Sequence, residues 1–320
     1  MRLLVLGGPR FLGRALADGA LARRHEVTFF NRGQTNPELY PQIERLQGDR
    51  AGDLRVLAGR EWDAVIDTSG YLPNVVRASV EALAGCGRYC FISSISVYGD
   101  FSVPVDEESP LATLGDLSSD EVTNESYGPL KALCEQVVRE SFERRALVVR
   151  PGLIVGPHDP TGRFTYWPHR LARGGEVLAP APRERQTQFV DVRDLGEWIV
   201  DLCERDATGI FNATHPGVTW GELLETCHTV AGINSELTWV PSEFLLAHEV
   251  GEWMELPLWT VDPSMAGADQ VDVQRALEAG LVFRPLADTV RGALEVAATT
   301  DVAGLSPERE TELLVAWHAR

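Results

Sequence analysis

The chain has 320 residues, 44% hydrophobic and 24% charged, a globular composition that argues against disordered, collagen-like or coiled-coil architectures. With 29 Lys+Arg against 47 Asp+Glu, its formal net charge is −18. Such a surface repels phosphate backbones and anionic lipid, so no nucleic-acid or membrane partner is expected, although a local basic pocket for a small anionic cofactor is compatible with it.

Leu3–Leu6 predicts a buried strand, Phe11–Arg24 a helix and His25–Asn31 a second strand. Ala64–Asp67 predicts a strand, Asn74–Ala84 a helix, Tyr89–Ser93 a strand, Tyr127–Phe142 a helix and Ala146–Val149 a further strand. Strands alternating with helices predict an α/β fold with a doubly wound parallel sheet, and nearly continuous apolar strands fit a sheet covered on both faces. After Val155 the rhythm breaks at the Gly156–Gly162 loop. The expected division is a dinucleotide-binding domain at 1–155, with 186–214 returning to it, and a smaller mixed α/β substrate domain from 156–320. Ser306-Pro307-Glu308 offers a cap, a first-turn proline and an acid for a C-terminal helix.

The five cysteines (Cys86, Cys90, Cys134, Cys203, Cys227) lack the two-residue spacing of metal or redox motifs and read as reduced thiols of a cytoplasmic protein. The histidines show no two-on-one-face spacing, so no metal is expected. His158 reads as a surface loop residue. No apolar window reaches the ~18–20 residues of a membrane span, and the opening apolar run is too short for a signal peptide.

Two constellations carry chemistry. In the first, Leu4–Leu6 runs into Gly7-Gly8-Pro9-Arg10-Phe11-Leu12-Gly13 and then a helix. A glycine-rich turn at a helix N-terminus presents free N–H groups and the positive helix end to phosphates. Arg10 holds the middle position of the G-x-x-G-x-x-G spacing, and Pro9 has no N–H to offer. Asn31 and Arg32 close the second strand where a carboxylate would favour NAD; two guanidinium groups without an acid favour NADP. In the second, Ser93-Ser94 is followed by Tyr127 and Lys131, which are four apart on one helix face. A nearby ammonium favours phenolate and makes the tyrosine a usable acid/base, while a serine hydroxyl can hold the same substrate oxygen. Tyr71, Phe164, Trp167 and Gln188 form a candidate substrate wall. Arg163 belongs to the same stretch, and Trp198, Trp253 and Trp259 read as core. The acidic run Asp106–Glu108 and the loop to Glu125 read as a solvated surface or as a flap over the site.

These motifs resemble the extended short-chain dehydrogenase/reductase superfamily, in its NAD-dependent epimerase/dehydratase branch. The resemblance rests on the glycine turn, Phe91–Gly99 (F-x-S-S-x-x-V-Y-G), Tyr127/Lys131, Arg150–Pro157 and Phe189–Leu195. It implies a Rossmann-type sheet and NAD(P)-dependent hydride transfer at a carbonyl or alcohol carbon. Tyr127 is then the acid/base, Lys131 its pKa-lowering partner and ribose ligand, and Ser94 the catalytic serine. Asp49 and Arg50 fall in the adenine segment, Thr68, Ser69 and Gly70 in the ribose–phosphate loop, and Pro151 and Leu153 beside the nicotinamide. The G-G-x-R-F-L-G form resembles an atypical subgroup of reductase-like bacterial proteins and chloroplast stem-loop-binding proteins. Nucleotide-sugar enzymes of this branch have Asn where Leu153 stands and Arg where Thr187 stands, so an ordinary sugar nucleotide is disfavoured. The resulting expectation is a reductase or dehydrogenase on a small molecule. Alternatives are a nucleotide-sugar epimerase/dehydratase or a non-catalytic cofactor-sensing or RNA-associated protein. Relatives dimerise through the helices at 74–84 and 127–142, which implies a homodimer.

Overall fold

A computed structural model describes residues 1–115, 121–296 and 303–320. Seven strands form one parallel sheet. Six of them are β1 (Arg2–Leu6), β2 (Glu26–Asn31), β3 (Glu44–Gln47), β4 (Ala64–Asp67), β5 (Tyr89–Ile92) and β6 (Ala146–Pro151). Four short strands come next: β7 (Leu153–Val155), β8 (Gly175–Pro180), β9 (Gln186–Thr187) and β10 (Phe189–Asp191). β11 (Gly209–Ala213) then returns to the sheet's edge, giving the order 3-2-1-4-5-6-11. This is a Rossmann-like α/β fold, and its strand order reverses at β1, where β4 lies on one side and β2 on the other.

β1 shows how the layers arise. Leu3 and Val5 face one side, where α1 (Leu12–Ala22) meets α5 (Val192–Glu204); Leu4 and Leu6 face the other, under α2 (Pro73–Ala82) and α3 (Asn124–Phe142). Both sides are apolar, so each strand is a continuous apolar run rather than an alternating one. The second half has its own core around Trp167, Trp220 and Trp259, none of which reaches solvent. There α4 (Tyr166–Ala172) packs on α6 (Trp220–Ala231), and β8 pairs in parallel with β13 (Ser235–Val240), which follows the short β12 (Val218–Thr219).

Three features differ from the sequence reading. β3 went unread because its side chains are mostly polar and only Leu46 is buried. α3 begins at Asn124, not Tyr127, because Thr123 and Ser126 form a reciprocal capping box: Ser126 N–H donates to Thr123 Oγ1 at 3.1 Å, and Thr123 N–H donates to Ser126 Oγ at 2.8 Å. The acidic run is not wholly a solvated surface. Glu107 is buried, accepts the Asn212 N–H at 2.8 Å and faces Arg275 at 3.6 Å. Its neighbours are strapped to the C-terminal half: Gly267 N–H donates to Phe101 O at 2.6 Å and Asp272 N–H to Val105 O at 2.8 Å. Of the proposed flap, residues 116–120 lie outside the described residues.

Candidate active site

A cavity of about 820 Å³ opens at the carboxyl end of the sheet, beside the switch point. One end is the glycine turn. Gly8, Phe11 and Leu12 line the cavity, and their backbone N–H groups have no acceptor among the described residues. They sit at the N-terminus of α1, where the helix dipole favours anions. Gly13 makes this geometry possible: a Cβ there would lie 2.1 Å from the Gly8 carbonyl oxygen, so no side chain fits between turn and helix. Phe11 holds a strained φ of +42° in the same turn.

Asn31 braces the turn rather than leaving its amide free. Its Nδ2 donates to Gly7 O at 3.0 Å and its Oδ1 accepts the Gly33 N–H at 2.7 Å. Arg10 and Arg32 are exposed, and neither has an ion-pair partner among the described residues. Thr68 and Ser69 line the cavity, but both hydroxyls donate to Leu6 O, at 3.1 and 3.0 Å.

The hydroxyl cluster occupies the middle of the cavity, where Ser94, Tyr127 and Lys131 line the wall together. Ser94 follows β5 by two residues in extended backbone, and its Oγ accepts the Ser96 N–H at 3.1 Å, capping the short turn Ile95–Val97. α3 closes onto that turn at Gly128, where a Cβ would stand 2.0 Å from Ser96 O. This close approach sets Tyr127 against Ser94. Tyr71, exposed on the rim, lies 6.3 Å from Tyr127 ring to ring.

Lys131 is buried and donates from Nζ to Gly70 O at 2.9 Å and to Ile92 O at 2.5 Å, with the Phe91 ring 4.3 Å away. Burial pulls its pKa down to about 8, partly opposed by the charge of Asp67. The Tyr127 phenol is pushed up by burial, with Ser94 partly offsetting the rise. In the protein alone the ammonium is held by the two carbonyls and desolvation dominates at the ring, so the net shift of the phenol is upward rather than downward.

Several assigned residues sit elsewhere. Phe164 and Trp167 have no exposed surface and belong to the core of the second half; Trp167 Nε1 donates to Pro257 O at 2.9 Å. They are not substrate wall, because apolar packing beneath the wall claims both. Gln188 lines the cavity, yet its amide is committed to Pro216 O, Val271 O and the Val271 N–H. Arg50 turns to Asp67, at 2.6 and 2.8 Å, and to Ser69 and Ser79, so it braces the end of β4 instead of presenting its charge. Asp49 is exposed and accepts the Ala51 N–H. Pro9 is buried, and its carbonyl accepts from Asn36 at 2.8 Å. Pro151 and Leu153 line the cavity; Thr187 is buried. Trp253, read as core, lines the cavity instead, while Trp198 and Trp259 are core. Asp67, Gly128 and Trp253 had been given no part in the site. Gly128 lies between Tyr127 and Lys131, and a glycine inside a helix is the sequence signal that marks it.

Residues 71–213 match the NAD dependent epimerase/dehydratase family. The match covers a little under half of the chain. The matched segment spans Ser94, Tyr127 and Lys131, and the glycine turn precedes it in the chain. The chain is 27% identical over 263 residues to 2'-dehydrokanamycin reductase of Streptomyces kanamyceticus, covering 76% of this chain and 70% of that protein. It is also 27% identical over 306 residues to dTDP-6-deoxy-L-talose 4-dehydrogenase (NAD(P)(+)) of Kitasatospora kifunensis, covering 86% of this chain and 93% of the relative. Among solved structures, the Bordetella bronchiseptica enzyme WbmH in complex with NAD+ superposes with a TM-score of 0.67, at 19% identity over 92% of this chain and 97% of that one. Its likeness is one of fold. Among the described residues, no helix is long and apolar enough to cross a membrane.

Proposed function

We propose that this protein is an NADP-preferring reductase or dehydrogenase acting on a carbonyl or alcohol carbon of a small molecule. The observation that carries the reading is the shared cavity: unpaired backbone donors of the glycine turn at one end, Ser94, Tyr127 and Lys131 in the middle. The residues present fit a dinucleotide, since three free N–H groups at a helix N-terminus are ready for its phosphates. Gly7–Gly13 hold the pyrophosphate, and Pro151 and Leu153 border the nicotinamide. Arg10 and Arg32, with no carboxylate beside them, take the 2′-phosphate. Residues 156–320 supply much of the substrate side.

When bound, the dinucleotide supplies or accepts the hydride. In reduction, Tyr127 gives its phenolic proton to the developing alkoxide, and in oxidation the phenolate takes it back. Ser94 Oγ donates to the same oxygen and fixes its position. Lys131 places a positive charge one helical turn from the phenol, where it stabilises the phenolate that reduction leaves behind. Buried Thr187 and apolar Leu153 offer no grip on a sugar nucleotide, which supports a different small carbonyl compound as substrate.

Calorimetric titration with NADPH and NADH in parallel tests the reading. NADPH binding at least about tenfold tighter, with the gap closing in Arg10→Ala/Arg32→Ala, is the expected result. Equal affinities remove the two arginines from cofactor choice, and no binding of either dinucleotide overturns the function.

A further inference from the structure

Buried arginines in this protein come with carboxylates. Arg50 has Asp67, Arg150 has Glu135, Arg170 has Glu310 and Arg284 has Asp194. Arg163 differs. It lines the cavity half-buried, and no ion pair or hydrogen bond reaches any nitrogen of its guanidinium among the described residues; the Nε of Arg50 and Arg88 is likewise enclosed without a partner, but their terminal nitrogens are paired. Its terminal nitrogens stand on the cavity wall with no partner of their own, which points to a ligand that completes them.

The surroundings hold the group without neutralising it. The guanidinium carbon lies 5.7 Å from the centre of the Trp253 ring. The approach loop is fixed: Asp159 Oδ1 accepts both the N–H and the hydroxyl of Thr161 at 2.8 Å, and the Arg163 N–H reaches Thr161 Oγ1 at 3.5 Å. Asp159 is not within ion-pair distance of Arg163, and its Oδ2 is also buried without a partner. Burial pushes the Arg163 pKa below its ordinary value, against the opposing charge of Asp159, whereas carboxylate partners raise those of Arg50 and Arg150. Trp253, Met265 and Ala268 give this part of the cavity an apolar lining.

We infer that Arg163 anchors an anionic group, a carboxylate or a phosphate, on a small substrate whose apolar part lies along Trp253 and Met265. The inference deepens the proposed function and rests on it for the reacting end of the substrate, while the anion site itself is defined by Arg163. A planar guanidinium beside an indole ring matches the two oxygens of such a group bidentately through its terminal nitrogens. The neutral end of the same molecule then reaches toward Ser94 and Tyr127.

The test is a titration of the protein, with and without NADP+, using octanoate, octyl phosphate and the neutral octanamide. We expect at least one anion to bind about tenfold to a hundredfold tighter than the amide. Arg163→Gln abolishes that preference, and Arg163→Lys restores part of it. A tighter octanoate marks a carboxylic acid as the substrate class, and a tighter octyl phosphate marks a phosphate ester. NADP+ affinity unchanged in Arg163→Gln shows that the variant is folded. Anions binding no better than the amide overturn the inference, as does a preference that survives Arg163→Gln. Anion preference without any NADP+ binding would retain the anion site and reject the redox reading, so the two failures are distinct.

Discussion

The two ends of the cavity are built from different materials. The glycine turn is backbone: three unpaired N–H groups, a helix terminus, and a glycine that admits a carbonyl at 2.1 Å from where a Cβ would be. The far wall is side chain: Arg163 on one loop, Trp253 some ninety positions later, and Met265 and Ala268 beyond it. Backbone donors recognise a phosphate whatever surrounds it, so the first end suits one cofactor shared by many reactions. Side chains drawn from distant segments can be exchanged one at a time, so on the proposed function the second end sets substrate choice.

Substitutions that strike one end and spare the other sharpen this contrast. The largest effect is expected between the ends, at Tyr127. Tyr127→Phe should cut turnover about 10²- to 10⁴-fold with NADPH affinity intact, measured by steady-state kinetics beside calorimetry. Turnover within a few-fold of the parent would remove the phenol from the mechanism. Gly13→Ala comes next. Its methyl must displace the Gly8 carbonyl, and overpacking of this kind costs about 1–3 kcal/mol, or roughly 5- to 150-fold in dinucleotide affinity. Anion binding at Arg163 should be unchanged; loss of both would mean that the two ends are not independent.

The smallest effect is a pH limb. Lys131 loses its proton through about pH 8, while burial keeps the Tyr127 phenol protonated to higher pH than a free tyrosine. Above pH 8 the ammonium that stabilises the phenolate product is lost. Reductive turnover should therefore decline by up to about tenfold per pH unit beyond that point. A kcat profile flat from pH 7 to 10 would show that Lys131 keeps its charge when the dinucleotide is bound.

The sequence made the backbone-built end legible because its constraints are local. A strand, a glycine spacing and a helix start within thirteen residues report the turn directly, and the four-residue spacing of Tyr127 and Lys131 reports a shared helix face. The sheet was readable for a related reason: strands buried on two faces are apolar throughout, whereas the polar edge strand β3 was missed. The side-chain-built end was poorly legible. Phe164 and Trp167 are apolar and close in sequence to the wall, yet they pack beneath it, while Trp253 reaches the cavity from a loop that no local pattern ties to the site. Arg50 misled because a charge next to a cofactor segment reads as a ligand until its carboxylate, seventeen positions away, is seen beside it.

The node around Asn212 has a consequence for how the chain can be divided. Asn212 sits on the last strand of the sheet; its N–H meets Glu107, its Oδ1 meets the Tyr98 hydroxyl at 2.6 Å, and its Nδ2 reaches Asp272 O at 3.0 Å. The stretch leaving Ser94 is thus fastened in part by residues that arrive more than a hundred and sixty positions later. A fragment ending at 214 would keep all seven strands and the bonds of Asn212 to Glu107 and Tyr98, yet lose those that Gly267 and Asp272 make to the stretch after Ser94. The two halves are therefore cross-tied, and the stretch after Ser94 takes part of its support from residues 267–272, translated long after it.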